Sequence, residues 1–160
     1  MQIPWHPNLM FSSVTRLRVR SIRFLPAFLW YTFLTQRQVE KSPGFAGGRL
    51  LVDSKLTFWT LTVWESEKAM KAFRGAGPHA RVMSRLPKWC DEAAYAHWSP
   101  AGDTIPEWTE AHQRLVAEGR LSRVEHPAPS HTDRQLPTPR LNPLIGGDIK
   151  ARNSANNQRS

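Results

Sequence analysis

The segment that constrains this chain most runs from residue 57 to residue 79, TFWTLTVWESEKAMKAFRGAGPH. In its first eight residues, two sets of side chains alternate, which is typical of a β-strand with two different faces. One set is Phe58, Thr60, Thr62 and Trp64, and the other is Trp59, Leu61 and Val63. The alternation predicts a strand that ends at Trp64.

The second half of the segment predicts an amphipathic helix. Ser66 can cap this helix, because its hydroxyl can accept a hydrogen bond from a free backbone N–H in the first turn. Apolar side chains at 69, 70 and 73 recur at helical spacing and would cover a sheet. Glycines and a proline at 75–78 break the helix, and His79 follows. Trp64 at a strand end and His79 past a helix break are both plausible cavity positions.

Composition indicates one folded domain and excludes several classes of protein. The chain has 160 residues, 40% of them hydrophobic, with seven tryptophans, so a disordered chain is excluded. The net charge of +9 is spread along the sequence without a run of five Lys/Arg, which does not favour specific nucleic-acid binding. The single cysteine, Cys90, excludes an intrachain disulfide and a multi-cysteine zinc site, and it is consistent with a cytoplasmic protein.

Residues 16–34 resemble a targeting signal, since four arginines precede the apolar run FLPAFLWYTFL. This run is far shorter than the roughly 20 residues that span a bilayer. The polar sequence TQRQVEK follows it instead of a cleavage pattern, and the arginines alternate with Thr15, Leu17 and Val19 as in a strand. We therefore expect a soluble protein without a membrane span.

The remaining elements extend this segment in both directions. After a lead at 1–11, SVTRLRVRS is a first strand, and a helix with Pro26 in its first turn ends before Pro43. GGRLLVD pairs with the strand at 57–64 as a hairpin, the second helix resumes through ARVMSRLPKWC, and AAYAHW is a fourth strand. The β-α-β-β-α-β order predicts an α+β, ferredoxin-like fold with a four-stranded antiparallel sheet and both helices on one face.

Three further predictions concern domain organisation. The domain spans 12–125 and includes an additional C-terminal helix at 104–118, which folds back on the sheet edge or onto a partner. Because Trp and Phe lie on both faces of the third strand, the uncovered sheet face is expected to pair with a second copy of the chain. The Pro-, Asn-, Ser- and Arg-rich segment 126–160 is predicted to be a disordered tail.

Taken together, the element order, KSPGF after the first helix, LTVWESEKAMKAF and the nearby histidine resemble the dimeric α/β-barrel superfamily, which includes antibiotic biosynthesis monooxygenases and haem-degrading relatives. HWSPAG followed by IPEWTEAHQRL is similar to its DUF3291 branch, and GGRLL…FWTLTVW has a fainter likeness to spheroidene monooxygenase-type proteins. The resemblance implies a homodimer with a pocket between the sheet and its helices. Fold and function separate readily, so the reaction stays open.

The resemblance also implies roles for particular residues. Haem-degrading relatives rely on an Asn, a Trp and a His. Trp64 is similar in position to that Trp, and His79 lies near the position of that His, beyond the helix break. At the position of the Asn, this chain offers only Ser12, Ser13, Thr15 and arginines. The triad is therefore incomplete.

Each candidate side chain has a functional and a structural interpretation. His79 could ligate haem iron or act as a general base on a phenolic substrate, or it could only bond locally at the helix start. Trp64 could act in catalysis, or it could be core or pocket wall. Arg18, with its neighbours on the first strand, could meet an anionic ligand or lie at a solvated rim. Trp30 and Tyr31 could hold a flat ligand or pack in the core.

His97 on the fourth strand could face the pocket or the dimer barrel, and no second ligand at metal-binding spacing accompanies it. The chain contains no GxGxxG, P-loop, GxSxG or HExxH motif, so dinucleotide, nucleotide, serine-hydrolase and zincin functions lack their local machinery. Three functions stay open. The first is a monooxygenase-like dimer that binds a small hydrophobic molecule and works either without a cofactor or with haem. The second is a non-catalytic binding dimer of the same fold, and the third is a weak polyanion binder.

Overall fold

A computed structural model describes residues 10–53, 55–100, 104–139 and 146–152. The strands are β1 (Phe11–Val19), β2 (Phe45–Asp53), β3 (Thr57–Trp64), β4 (Cys90–Trp98), β5 (Arg120–Leu121) and β6 (Gly146–Ile149). The helices are α1 (Leu25–Glu40), α2 (Glu67–Arg74), α3 (Gly77–Met83), α4 (Leu86–Trp89), α5 (Trp108–Glu118) and α6 (Pro129–Thr132), with a 3-10 turn at Ile22–Phe24 before α1. Most of the predicted lead at 1–11 lies outside these ranges.

The strands form an open antiparallel sheet in the order β5-β4-β1-β3-β2-β6. Its four central strands have the order and directions of a ferredoxin-like unit, so the predicted fold class is confirmed. The two outer strands were not predicted. Each is short, and each extends the sheet by pairing with an edge of the ferredoxin-like core.

Local chemistry explains the helix boundaries. Pro26 lies in the first turn of α1, where its missing N–H costs nothing. At the start of α2, the Ser66 hydroxyl accepts a hydrogen bond from the backbone N–H of Ala69 at 3.1 Å, as the sequence predicted. Within the described ranges, no helix combines the length and the apolar character needed to cross a bilayer.

The second helical region is divided into three short helices, α2, α3 and α4. Gly77 adopts φ +56°, a left-handed conformation that L side chains rarely adopt, and Pro78 follows it in the first turn of α3. The chain therefore turns sharply between Arg74 and His79. This turn is the helix break that the sequence predicted.

The sheet separates two layers. Its inner face carries α1, α2 and α3, as predicted, and its outer face carries α5. A buried cluster on the outer face joins strands β1 to β4 to α5, with Trp108 packed against it. The members of this cluster are Val14, Leu51, Trp59, Leu61, Ala94, Ala96, Trp98, Ala111 and Leu115.

Helix α5 changes the interpretation of the outer face. The aromatic side chain of Trp59 on this face is only 1% exposed, because α5 of the same chain covers it. The apolar outer residues therefore need no second copy to remove them from water. The helix begins at Trp108 and not at Thr104, since the preceding residues, which include Pro106, are not helical.

The described part of the predicted disordered tail contains regular structure. Ser130 of α6 donates a hydrogen bond to the buried carboxylate of Glu92, and Ala93 N–H donates to Nδ1 of His131 at 3.2 Å. Farther along, β6 pairs with β2, and Arg152 forms an ion pair with Glu40 at 2.9 Å. Composition gives no sign of these elements, because pairing with an existing edge strand needs few apolar residues. Residues 140–145 and 153–160 of the predicted tail lie outside the described ranges.

Candidate functional site

A cavity of about 460 Å³ lies between the inner face of the sheet and the helices α1, α2 and α3. Its volume is that of a site for a drug-sized molecule. The predicted location of a ligand pocket, between the sheet and its own helices, coincides with this cavity.

The floor of the cavity is polar. Six side chains form two rows across β3, β1 and β4, because directly paired residues in neighbouring strands point to the same face. The first row is Thr62, Ser13 and His97, and the second is Thr60, Thr15 and Tyr95. An apolar row, in which Phe58, Leu17 and Ala93 pair, follows them. A ligand resting on the sheet would therefore meet hydroxyl groups along much of its lower surface.

The walls of the cavity are mainly apolar. Helix α1 contributes Phe28, Tyr31, Thr35 and Val39, which recur at the spacing of one helical face. Helices α2 and α3 contribute Met70, Phe73, Val82 and Met83. The site thus combines apolar walls with a hydroxyl-rich floor, an arrangement suited to a hydrophobic molecule that carries oxygen atoms.

His79 lies at the cavity wall and is held there by Gln38 of α1. The side-chain oxygen of Gln38 accepts a hydrogen bond from the backbone N–H of His79 at 2.9 Å. The amide nitrogen of Gln38 donates to the carbonyl oxygens of Phe73 and Ala76 at 3.1 and 2.7 Å. One side chain therefore satisfies three backbone groups of the α2–α3 turn and fixes the position of His79.

The Nε2 atom of the His79 ring can accept a proton. Its Nδ1 lies 3.1 Å from the carbonyl oxygen of Arg74, and since a carbonyl only accepts, Nδ1 carries the hydrogen. The other nitrogen, Nε2, is left with a free lone pair. Burial lowers the pKa of His79, the bond to the carbonyl raises it, and the Arg74 charge lowers it further, with a net decrease. The imidazole is therefore neutral at pH 7.

His97 contributes a second neutral imidazole to the cavity floor. Its ring lies 5.2 Å from the rings of both Phe11 and Tyr95. Burial is the largest cause of its lowered pKa; the charges of Arg74, Lys71 and Arg120 lower it further, and the charge of Glu67 raises it. Of the two locations that the sequence left open for His97, the structure shows the pocket.

Trp64 is buried beside the cavity and does not line it. The side chain is fully buried, with its ring 5.3 Å from Phe45 and 5.2 Å from Phe73. Phe73, which lines the cavity, also lies 4.8 Å from the ring of His79. Trp64 therefore packs behind Phe73 in the core.

Tyr31 lines the cavity, whereas Trp30 does not. One residue along a helix rotates the side chain by about 100°, so neighbours on α1 point in different directions. The Trp30 side chain is 58% exposed on the outside of α1, where it stacks with Phe33 at 5.9 Å. The structure does not bring Trp30 to the predicted ligand pocket.

Arg18 lies on the opposite face of the sheet from the cavity. Its guanidinium donates two hydrogen bonds to Asp91, at 2.8 and 2.9 Å, and lies 3.2 Å from Glu92. The hydrogen bond to Asp91 is the main reason why the pKa of Arg18 is raised. Arg16 is 5% exposed beside it and pairs with Glu92 at 3.1 Å. These arginines balance carboxylates of β4 and are not available to a ligand in the cavity.

The sequence arguments did not identify several side chains of the site, among them Gln38, Thr35, Tyr95 and Arg74. A signal for part of the floor was present, since polar residues occupy alternate positions in the middle of β1, at 13 and 15, and of β3, at 60 and 62. No residue pattern indicated the Gln38 contacts, because they join elements 35 to 41 positions apart. Within the described ranges, no group of three His, Cys, Asp or Glu side chains could hold a metal ion.

Solved structures similar to this chain share its fold at low sequence identity. A candidate antibiotic biosynthesis monooxygenase from Nitrosomonas europaea aligns with a TM-score of 0.53 and 14% identity, over 61% of this chain and 95% of that chain. A similar candidate from Caulobacter crescentus CB15 gives 0.52 and 15%, over 60% and 93%. A conserved protein from Methanosarcina mazei Go1 gives 0.52 and 12%, over 58% and 94%.

The chain is therefore an α+β protein with the ferredoxin-like fold of the antibiotic biosynthesis monooxygenases. The sequence profile of one family, described as Domain of unknown function (DUF3291), matches residues 26–122, and the chain belongs to this family. No curated protein matches the sequence significantly.

Proposed function

We propose that this protein binds a flat, hydrophobic aromatic molecule in the cavity and acts on it as a monooxygenase-like enzyme. The observation that carries the proposal is the neutral His79 imidazole at the cavity wall: its Nδ1 is bound to the Arg74 carbonyl oxygen, and its Nε2 has no hydrogen-bond partner among the described residues. Phe28, Tyr31 and Phe73 offer aromatic surface to the ligand. The fold neighbours named as candidate monooxygenases support the reaction class.

His79 would act as the general base. Its Nε2 accepts the proton of a phenol or of an activated CH₂ group, and the apolar walls keep water away from the resulting anion. For a substrate R₂CH₂, the reaction R₂CH₂ + O₂ → R₂C=O + H₂O balances without an external reductant. One oxygen atom enters the product and the other leaves as water. Such a substrate supplies all four electrons, so this route needs no cofactor.

The alternative to the cofactor-free route is a reaction with haem, which His79 could bind. The same Nε2 lone pair is the type of donor that binds haem iron, and a backbone carbonyl that accepts the hydrogen of Nδ1 commonly orients ligating histidines. Bound haem would supply oxygen activation at its iron. In that case His79 would hold the iron, and the apolar walls would enclose the macrocycle.

The second candidate function is binding without chemistry, by an accessory protein of the same fold. Two observations favour it. The ring of His79 is oriented by a carbonyl oxygen and not by a carboxylate, and Trp64, the predicted partner in catalysis, lies behind Phe73. Both functions use the same cavity, so binding alone cannot separate them.

Oxygen consumption separates the two functions. Purified protein is incubated with a panel of polycyclic phenols, and dissolved oxygen and products are followed for the wild type, His79→Ala and the control His126→Ala. His126 is exposed and lies outside the cavity lining. Oxygen uptake that His79→Ala abolishes and His126→Ala retains supports the enzyme. Saturable binding without uptake by the wild type supports the accessory protein.

A haemin titration tests the cofactor. Binding at His79 would shift the Soret band of haemin in the wild type and in His126→Ala, but not in His79→Ala. The absence of a shift in the wild type removes the haem form of the proposal. A shift that His79→Ala leaves unchanged removes His79 as the iron ligand.

We also propose a homodimer, following the resemblance to the dimeric superfamily. The contact cannot use the α5-covered part of the outer face in the way first expected. Size-exclusion chromatography with light scattering should give twice the 18.3 kDa mass of one chain. A mass of 18.3 kDa across the concentrations tested would refute the dimer.

A further inference from the structure

The charged side chains that line the cavity are all of one sign. It includes two arginines, Arg74 at the end of α2 and Arg123 after β5, and no aspartate or glutamate among the residues that the structure describes. The two histidines of the lining are neutral, for the reasons given above. The fixed charge of the lining is therefore positive.

Neither arginine forms an ion pair within the described parts of the chain. Four carboxylates of neighbouring elements pair with other cations. Glu67 of α2 pairs with Lys71 at 3.1 Å, and Glu40 of α1 pairs with Arg152 at 2.9 Å. Asp91 and Glu92 of β4 pair with arginines on the outer face of the sheet. These four acids are therefore paired elsewhere, and no carboxylate of the described residues pairs with Arg74 or Arg123.

The positive charge of Arg74 affects a histidine on the wall of the cavity and another on its floor. It lowers the pKa of His79 on the wall and of His97 on the floor. A charge that disfavours a second cation in the cavity favours an anion there by the same electrostatic term. Burial alone would penalise either charge, so the sign of the preference comes from the arginines.

One residue of the cavity lining has a polar atom that lacks a partner. Thr35 of α1 lines the cavity, and its hydroxyl is buried without a hydrogen-bond partner in the described structure. By contrast, the Thr32 hydroxyl one turn earlier donates to the carbonyl oxygen of Phe28 at 2.8 Å. An unpartnered buried hydroxyl carries a free-energy cost that a ligand oxygen would remove.

We propose that the ligand of this cavity is a hydrophobic acid bound as its anion. Its apolar body packs against the walls formed by α1, α2 and α3, Arg74 and Arg123 supply the opposite charge, and the Thr35 hydroxyl donates to one of its oxygens. This inference rests on the proposed function and narrows it, since it selects aromatic carboxylates and acidic phenols from the flat hydrophobic molecules that fit.

The test compares two probes of one shape, anthracene-2-carboxylate and anthracene-2-carboxamide, by fluorescence titration near neutral pH. We expect the carboxylate to bind at least about tenfold more tightly, which corresponds to about 1.4 kcal/mol. Because both arginines are exposed, the preference should weaken at high salt. Equal affinities for the two probes would overturn the inference while leaving the proposed aromatic ligand intact.

Variants assign the preference to the arginines. Arg74→Gln and Arg123→Gln should each reduce the carboxylate preference, and the double variant should abolish it while still binding the carboxamide. Arg81→Gln is the matched control, since Arg81 is exposed on α3 outside the cavity lining. A preference that the double variant retains would also overturn the inference. If the wild type binds neither probe, the proposed function itself fails.

Discussion

The side-chain oxygen of Gln38 lies 2.9 Å from the backbone nitrogen of His79 and accepts its hydrogen. The residue thereby joins α1 to the α2–α3 turn. Gln38→Leu keeps most of the side-chain volume and removes all three hydrogen bonds of Gln38 to that turn. Each lost bond is worth about 1 kcal/mol, so unfolding should require about 2–3 kcal/mol less free energy. Urea denaturation measures the change.

Gln113→Leu is the control for this prediction, because Gln113 is an exposed residue of α5. It should change the free energy of unfolding by less than about 0.5 kcal/mol. If both variants lose the same stability, the hydrogen bonds of Gln38 do not hold the turn.

Stability should decrease as the pH falls below 6.5. The pKa values of His79 and His97 are lowered in the folded protein, mainly by burial, so the unfolded chain binds protons at these residues more readily. Their contribution is fully present above the unfolded pKa of about 6.5 and is lost as the pH falls through the folded values. Thermal unfolding of wild type and His79→Gln/His97→Gln measures it. The wild type should lose more stability on acidification than the double variant.

Cys90 should be inert in the folded protein. The residue is fully buried, and burial together with the Asp91 charge raises the pKa of its thiol to about 12. A thiol reagent near pH 8 should therefore label almost no native protein and one thiol per chain in concentrated guanidinium chloride. Rapid labelling of the native protein would contradict the buried position.

Two glycines of neighbouring strands should respond differently to alanine. A Cβ on Gly48 in β2 would lie 2.4 Å from the carbonyl oxygen of Leu61, a backbone atom that cannot move without disturbing the β2–β3 pairing. A Cβ on Gly147 in β6 would meet no atom within 4 Å. Gly48→Ala should lower stability by at least about 2 kcal/mol, and Gly147→Ala by less than about 0.5 kcal/mol. Denaturation of both variants provides the comparison.

Replacing only one partner of the buried pair of Arg16 and Glu92 should strongly lower the stability of the protein. Glu92→Gln leaves the charge of Arg16, which is 5% exposed, without its partner, and a loss of about 3–5 kcal/mol is expected. The double variant Arg16→Met/Glu92→Leu removes both charges and should recover much of this loss. A double variant at least as unstable as Glu92→Gln would show that the unpaired charge of Arg16 does not cause the loss.

The sequence predicted the elements whose causes are local. The alternation in β3, the Ser66 cap and the break at Gly77 each depend on residues a few positions apart, and all three are present. The location of α5 was not predictable in the same way. Its apolar stripe fits either its own sheet or that of a partner, and only the assembled chain shows which one it covers.

The positions of the site residues likewise depend on contacts between distant elements as well as on local sequence. Alternation places Arg18 and Thr15 on opposite faces of β1, but it does not indicate which face receives the helices. On α1, aromatic residues at 28, 30, 31 and 33 surround most of the helix, so the sequence alone does not separate the lining Tyr31 from the exposed Trp30. Both assignments depend on how distant elements pack.

Consecutive residues of β3 point to opposite faces of the sheet and therefore have different roles. Trp59 supports the layer beneath α5, whereas Thr60 faces the cavity. A change at Thr60, Thr62 or Thr15 therefore alters the floor of the cavity without touching the packing that keeps the domain folded. The chemistry of the cavity and the stability of the domain thus depend on alternate residues of the same strands, so the first can change while the second stays nearly constant.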